Sequence, residues 1–184
     1  MTMTGIDIFI AENQNIILLL SGLVLLYILY RSRRNPDGRW DDRNVTTEKV
    51  LQALEGFEAE REARLKHGFT ERSLQMQIKS WLNNQFENVD HDSGLASING
   101  LKIDLDIGRG KVGIELKLAR ELFKTAHVQR LVGQIDDYLK AYNSEDLLLV
   151  VGITAEEVED RVWVNEVEDR MASKEVQVVW LDLP

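Results

Sequence analysis

The 184-residue chain carries 31 acidic and 22 basic residues, a net charge of −9 and a pI near 4.9. That balance excludes a protein that coats nucleic acid nonspecifically, though not one with a locally cationic cleft. Hydrophobic residues at 44% and charged residues at 29% fit one globular domain plus an extra segment, and the lack of cysteine removes disulfides and thiolate metal sites.

The extra segment stands at the front. Residues 13–30 (NQNIILLLSGLVLLYILY) contain no charge and become almost wholly apolar from Ile16. As a helix they would run roughly 27 Å, close to the thickness of a hydrocarbon core. Tyr27 and Tyr30 fall where aromatic belts lie, Arg31, Arg33 and Arg34 follow at once, and Asp7 and Glu12 precede. The positive-inside bias then predicts a single-pass membrane anchor, with residues 1–12 as a short extracytoplasmic N-terminus and the rest in the cytoplasm. A signal peptide would carry its positive charges in front and a small-residue cleavage site behind, and this segment has neither.

Residues 31–45, with Pro36-Asp37-Gly38 and mixed charge, read as a juxtamembrane linker. The segment 46–68 predicts a helix from Thr47 to His67 that serves as a stalk or packs on the domain, with Val50, Leu51, Leu54, Phe57 and Leu65 as a partial apolar stripe and Gly68 as its stop. The domain proper, 69–184, opens with a helix capped by Thr70, whose Leu74, Ile78, Trp81 and Leu82 face a core. Strands follow over 86–91 and 101–107, then the turn GRGK and a strand over 112–118. A long helix over 120–142, the buried strand LLLVVGI (147–153), a helix opened by the capping box Thr154-Ala-Glu-Glu157, and a last strand EVQVVWLDL complete the chain. Trp163 and Trp180 sit in apolar patterns and read as core. The order α-β-β-β-α-β-α-β predicts an α/β fold, a mixed central sheet with flanking helices.

The stretch KIDLDIGRGKVGIELKLA (102–119) places charges in strands, where acidic residues are scarce. Alternation puts Leu101, Ile103, Leu105 and Ile107 on one face and Lys102, Asp104 and Asp106 on the other. On the second strand Val112, Ile114, Leu116 and Leu118 are apolar, opposite Glu115 and Lys117. A turn over Gly108 to Lys111 sets Asp104 across from Glu115, and Asp106 across from Gly113 as a solvated neighbour. Carboxylates opposed about 5 Å apart repel. Either a hard divalent cation such as Mg²⁺ sits between them, with Lys117 orienting water or stabilising charge on a phosphate, or the hairpin simply has one wet, charged face.

Asp104, eleven residues and then Glu115-Leu-Lys117, on adjacent strands after a helix, resembles the PD-(D/E)xK nuclease superfamily, the restriction-endonuclease-like fold, over roughly Thr70 to Leu183. The resemblance implies that Asp104 and Glu115 bind Mg²⁺, or Mn²⁺ in its place, and that Lys117 assists water attack on a phosphodiester. Glu71 matches an additional metal-linked Glu, and Gln134 and Tyr138, in RLVGQIDDYLKAY, match a Gln-x-x-x-Tyr element. Ile103 stands where the motif has Pro.

At about 100° per residue, Arg120, Lys124, His127, Gln134 and Tyr138 share one edge of the long helix, beside an apolar stripe of Val128, Leu131, Val132, Ile135 and Leu139. Arg120, Lys124, His127 and Tyr138 are therefore candidate DNA contacts, and Gln134 a brace for the site; the competing view is an ordinary solvated face. Walker, dinucleotide, nucleophile-elbow and zinc motifs are missing, and His67, His91 and His127 are too scattered for a metal cluster. The expectation is a membrane-anchored, Mg²⁺-dependent DNA nuclease, acting on double-stranded DNA as the resemblance implies, with a homodimer as one form that such enzymes take. The alternatives are a non-catalytic DNA- or protein-binding module of the same fold and a structural adaptor.

Overall fold

The computed structural model describes residues 23–24, 38–58, 70–94, 102–157 and 162–184. Of the expected anchor only Leu23 and Val24 are described, helical and exposed; the rest of 13–30, and residues 1–12 and 31–37, lie outside the described residues. Among the described residues no helix is long and apolar enough to cross a membrane. Residues 40–184 form one compact unit.

That unit is a mixed α/β fold. Among the described residues four α-helices, α1 (Thr47–Glu55), α2 (Glu71–Asn83), α3 (Thr125–Tyr138) and α4 (Val162–Ala172), flank five strands, β1 (Val89–Gly94), β2 (Lys102–Ile107), β3 (Val112–Leu118), β4 (Leu147–Thr154) and β5 (Gln177–Leu183). The strands lie in chain order, β1-β2-β3-β4-β5. β1, β2 and β3 run antiparallel as a meander, and β3, β4 and β5 run parallel, as the intervening helices α3 and α4 require. β4 is buried along nearly its whole length, which is why its sequence is continuously apolar.

Each face of the sheet has its own core. On one face Val50 and Leu54 of α1 and Leu74, Ile78 and Leu82 of α2 pack on Leu105, Ile107, Ile114, Leu116 and Val150. On the other, Val128, Leu131, Ile135 and Tyr138 of α3 and Trp163, Val167 and Met171 of α4 pack on Leu147, Leu149 and Val151. The helix expected over 47–67 is interrupted after Glu55, with Gly56 as its cap, and residues 59–69, which hold Leu65 and the expected stop Gly68, lie outside the described residues. Low helix propensity at Gly56 acts together with Trp81, whose Nε1 donates to the Ala53 carbonyl at 2.7 Å and whose ring meets Phe57 edge-on. Trp40 hydrogen-bonds on both sides of Phe86, to Gln85 and Glu87, so the expected linker is structured from there on. The capping box at Thr154 is half formed: Glu157 accepts from the Thr154 N–H at 2.9 Å, a 3-10 turn, Ala155–Glu157, follows, and α4 is described from Val162, with residues 158–161 outside the described residues. Trp163 is buried and Trp180 half-buried.

The β2–β3 ladder keeps the expected register at Leu105 with Ile114, Asp106 with Gly113 and Ile107 with Val112, but the expected pairing of Asp104 with Glu115 is not part of it. The turn is built on left-handed residues at Gly108, Arg109 and Gly110, and Asp106 Oδ1 accepts the Gly110 N–H at 2.6 Å. Asp106 is thus buried rather than solvated, tied down by its own turn. The alternation expected for β2 also breaks. Leu105 and Ile107 join the core under α2, whereas Ile103 joins the core under α3, so the period of two fails at Asp104. Ile103 reaches across to Gly113: a Cβ there would stand 2.5 Å from Ile103 Cδ1 and 3.0 Å from the Tyr142 ring. Gly113→Ala is expected to cost about 1–3 kcal/mol of overpacking, measured by urea unfolding; an unchanged midpoint would show that the contact is not tight.

Candidate active site

The break at Asp104 points its carboxylate at the backbone of β3. Oδ2 accepts the Leu116 N–H at 2.8 Å, a position where a ladder bond to β2 would otherwise stand. Behind it, Gln75 of α2, buried among Leu74, Ile78 and Leu82, donates from Nε2 to the Asp104 carbonyl at 2.7 Å, and Arg72 donates to Gln75 Oε1 at 2.8 Å. Asp104 is therefore held at both its backbone and its side chain, as a preorganised ligand must be.

Glu115 and Lys117 stand two residues apart on β3, on the face under α3. Lys117 Nζ lies 2.7 Å from Glu115 Oε1, 3.3 Å from Glu71 Oε1 and 2.8 Å from the Leu116 carbonyl. Glu71 arrives from the first turn of α2, whose start is fixed by a reciprocal Thr70–Ser73 capping box. Two segments distant in sequence, α2 and β3, thus meet at one ammonium. Glu115 is 2% exposed, and its Oε2 is buried without a hydrogen-bond partner, a rare condition for a carboxylate oxygen that asks for a cause.

The electrostatics follow from that burial. Desolvation pushes the Glu115 carboxyl up to about 7, against the pull of Lys117, and Asp104 adds to the rise. Glu71 is likewise raised to about 7, first by burial, with Lys117 opposing. Burial alone would lower Lys117, but Glu115, Glu71 and Asp104 outweigh it and hold the amine above its ordinary range. Lys117 is an ammonium at neutral pH, so it can orient water or stabilise negative charge, and it cannot serve as a base.

A cleft of about 380 Å³ opens here, lined by Glu71, Lys117, Glu121 and Leu122 and by His127, Arg130 and Gln134 of α3. Asp104 and Glu115 are not among its lining residues; Lys117, in contact with Glu115, is. A larger cleft of about 520 Å³ beside α1 and β5 carries Glu55, Glu58 and Asp182 among mainly apolar neighbours and no such constellation. Among the described residues, no three His, Cys, Asp or Glu side chains stand together as a metal-holding group.

The long helix begins later than 120. A 3-10 turn, Ala119–Glu121, intervenes, and α3 starts at Thr125 with Lys124 as its N-cap. Arg120 is therefore off the helix, and neither it nor Lys124 lines the cleft. His127 does, with Nδ1 2.6 Å from the Glu121 carbonyl; since a carbonyl only accepts, Nδ1 carries the hydrogen. Tyr138 turns inward, 1% exposed, and its hydroxyl donates to the Lys102 carbonyl at 2.8 Å. It bridges α3 to β2 and does not line the cleft. Burial, then the charge of Glu115, push its phenol far above the usual range, so it stays neutral.

Sequence reasoning missed Arg130, Glu121 and Gln75. His127, Arg130 and Gln134 are spaced i, i+3 and i+7, which is one helix face; a wider angular window on that edge would have included Arg130. Gln75 was legible as a lone amide inside an apolar helix stripe.

A comparison with known protein families, with curated proteins and with solved structures returns no match to this chain.

Proposed function

We propose that the chain is a Mg²⁺-dependent deoxyribonuclease of the PD-(D/E)xK type, with a restriction-endonuclease-like domain tethered to the cytoplasmic side of a membrane by residues 13–30. The observation that carries this reading is the convergence of Glu71, Glu115 and Lys117 at 2.7–3.3 Å, with Asp104 anchored on the neighbouring strand. Asp104 and Glu115 supply hard oxygen donors, and the unpartnered Glu115 Oε2 is the kind of atom that a divalent cation satisfies. Mg²⁺ needs only one or two carboxylates, and Mn²⁺ suits the same donors. When bound, the ion supplies Lewis-acid stabilisation of the phosphate and acidifies a water.

The chain's own residues do the rest. Asp104 and Glu115 would hold the ion, Glu71 sets the ammonium of Lys117 from the opposite side, and Lys117 stabilises charge developing on the phosphate. His127 and Arg130 face the strand and Gln134 closes the wall. A second reading, a non-catalytic DNA- or protein-binding module of the same fold, is favoured by one feature: Glu115 is buried and already paired with Lys117, so the pair can stand as a self-neutralised support.

The purified full-length chain, incubated with plasmid DNA, is expected to cut in Mg²⁺ or Mn²⁺ and to be silent in EDTA. DNA binding that persists without any cleavage in either metal would favour the module and remove the nuclease.

A further inference from the structure

Phe123 is the only phenylalanine or tryptophan that is exposed among the described residues, at 47%. Its ring is held in place: it meets Trp163 edge-to-face at 5.2 Å between centroids, and Trp163 meets Trp180 at 5.7 Å. One exposed ring is ordinary in itself, and its position is what gives it meaning: it does not line the cleft but stands at its rim, next in sequence to a lining residue. Leu122, just before it, lines the cleft, and Lys124 and α3 follow, bringing His127 and Arg130 to the same cleft.

Charge narrows the choice. Lys117 is engaged by Glu115 and Glu71, and Glu71 and Glu121 are acidic lining residues. Arg130 lines the cleft and Lys124 caps the helix that forms its wall, and neither makes an ion pair among the described residues. A protein that grips duplex DNA ionically through about 6–10 phosphate contacts needs a cation for each, more than the described residues at this cleft provide. Stacking on an aromatic ring is the remaining source of affinity, and it needs a base that is not already stacked in a helix.

We infer that the cleft takes a single strand of nucleic acid, with Phe123 as the platform for an unpaired base and Arg130 on the adjoining phosphate. The inference rests on the nuclease reading and narrows its substrate, against the duplex implied by family resemblance.

The test is fluorescence anisotropy in EDTA with the full-length chain, a labelled oligo-dT 20-mer and a duplex of equal length, over a salt series. Oligo-dT is expected to bind more tightly than duplex, with a log–log salt slope of about −0.7 for the one phosphate contact of Arg130. Phe123→Leu should weaken oligo-dT binding by about five- to hundredfold and leave duplex binding within about twofold, whereas Phe123→Trp should retain it. Thermal unfolding of both variants separates lost stacking from lost packing on Trp163, because a packing defect lowers both ligands together. Tighter duplex binding, equal loss for both ligands, no effect of Phe123→Leu, or no oligonucleotide binding overturns the inference. Metal-dependent cleavage indifferent to Phe123 defeats it and spares the nuclease, and Phe123-dependent single-strand binding without cleavage does the reverse.

Discussion

Asp104→Asn and Lys117→Met are each expected to lower kcat/KM for metal-dependent DNA cleavage by about 10²–10⁴-fold, the range for losing a positioned charge or proton-handling group at a reacting centre. Asparagine keeps the size of Asp104 and turns its carboxylate into a neutral amide. Methionine keeps the volume of the Lys117 stem and removes the ammonium that Glu115 and Glu71 share. Both proteins should remain folded. Without Lys117 the carboxyl of Glu115, already near 7, moves higher and stays protonated, so no uncompensated charge is left inside. Steady-state cleavage with folding checked by circular dichroism decides the matter. Full activity in either folded variant would detach the chemistry from this site.

The metal-free chain is expected to be more stable at pH 5 than at pH 8, the reverse of the usual acid sensitivity. A carboxyl whose folded pKa is raised from 4.5 to about 7 binds its proton more tightly folded than unfolded. Its contribution is therefore present at low pH and lost as pH rises from about 4.5 to about 7, then flat above. For Glu115, at 2% exposure, the loss is about 3 kcal/mol. Glu71 acts in the same direction and less strongly, since its side chain is about one-third exposed. Asp41 and Glu48, on the surface with lowered pKa values, oppose this only at more acid pH. Urea unfolding in EDTA, followed by tryptophan fluorescence at the two pH values, measures the difference, and Glu115→Gln should erase most of it. Equal stability at both pH values, or a gain toward pH 8, would mean that Glu115 is ionised in the folded chain.

The sequence carried the sheet well because burial there leaves a plain record. The apolar run at 147–153 and the glycine-rich turn at 108–111 report strand and register directly, and Thr70 announced the start of α2. What it carried badly were breaks in period. Alternation assigned Ile103 to the same face as Leu105, yet the two pack on opposite sides, because Asp104 spends its carboxylate on the Leu116 N–H and shifts the chain by one step. The same failure occurred at 119–124, where nothing in composition separates a 3-10 turn from a first helical turn. With the helix start misplaced, Arg120 was given a wall position that Arg130 holds. Tyr138 lay on the boundary between the buried and open edges, and only its bond to the Lys102 carbonyl decides that it goes inward. Gln75 could not be given a role from sequence, because its partner is a backbone atom of β2.

The consecutive strand order bears on how quickly the domain reaches its native state. Each ladder joins neighbours along the chain, so each closure spans one connector and its entropy grows only with the logarithm of that length. Such local wiring places the molecule with the faster mixed folds rather than the slow all-β sandwiches. During synthesis α1, α2 and the meander emerge before the parallel half of the sheet. The corner that gathers Glu71, Asp104 and Lys117 can then dock while β5, which pairs only with β4, is still inside the ribosome.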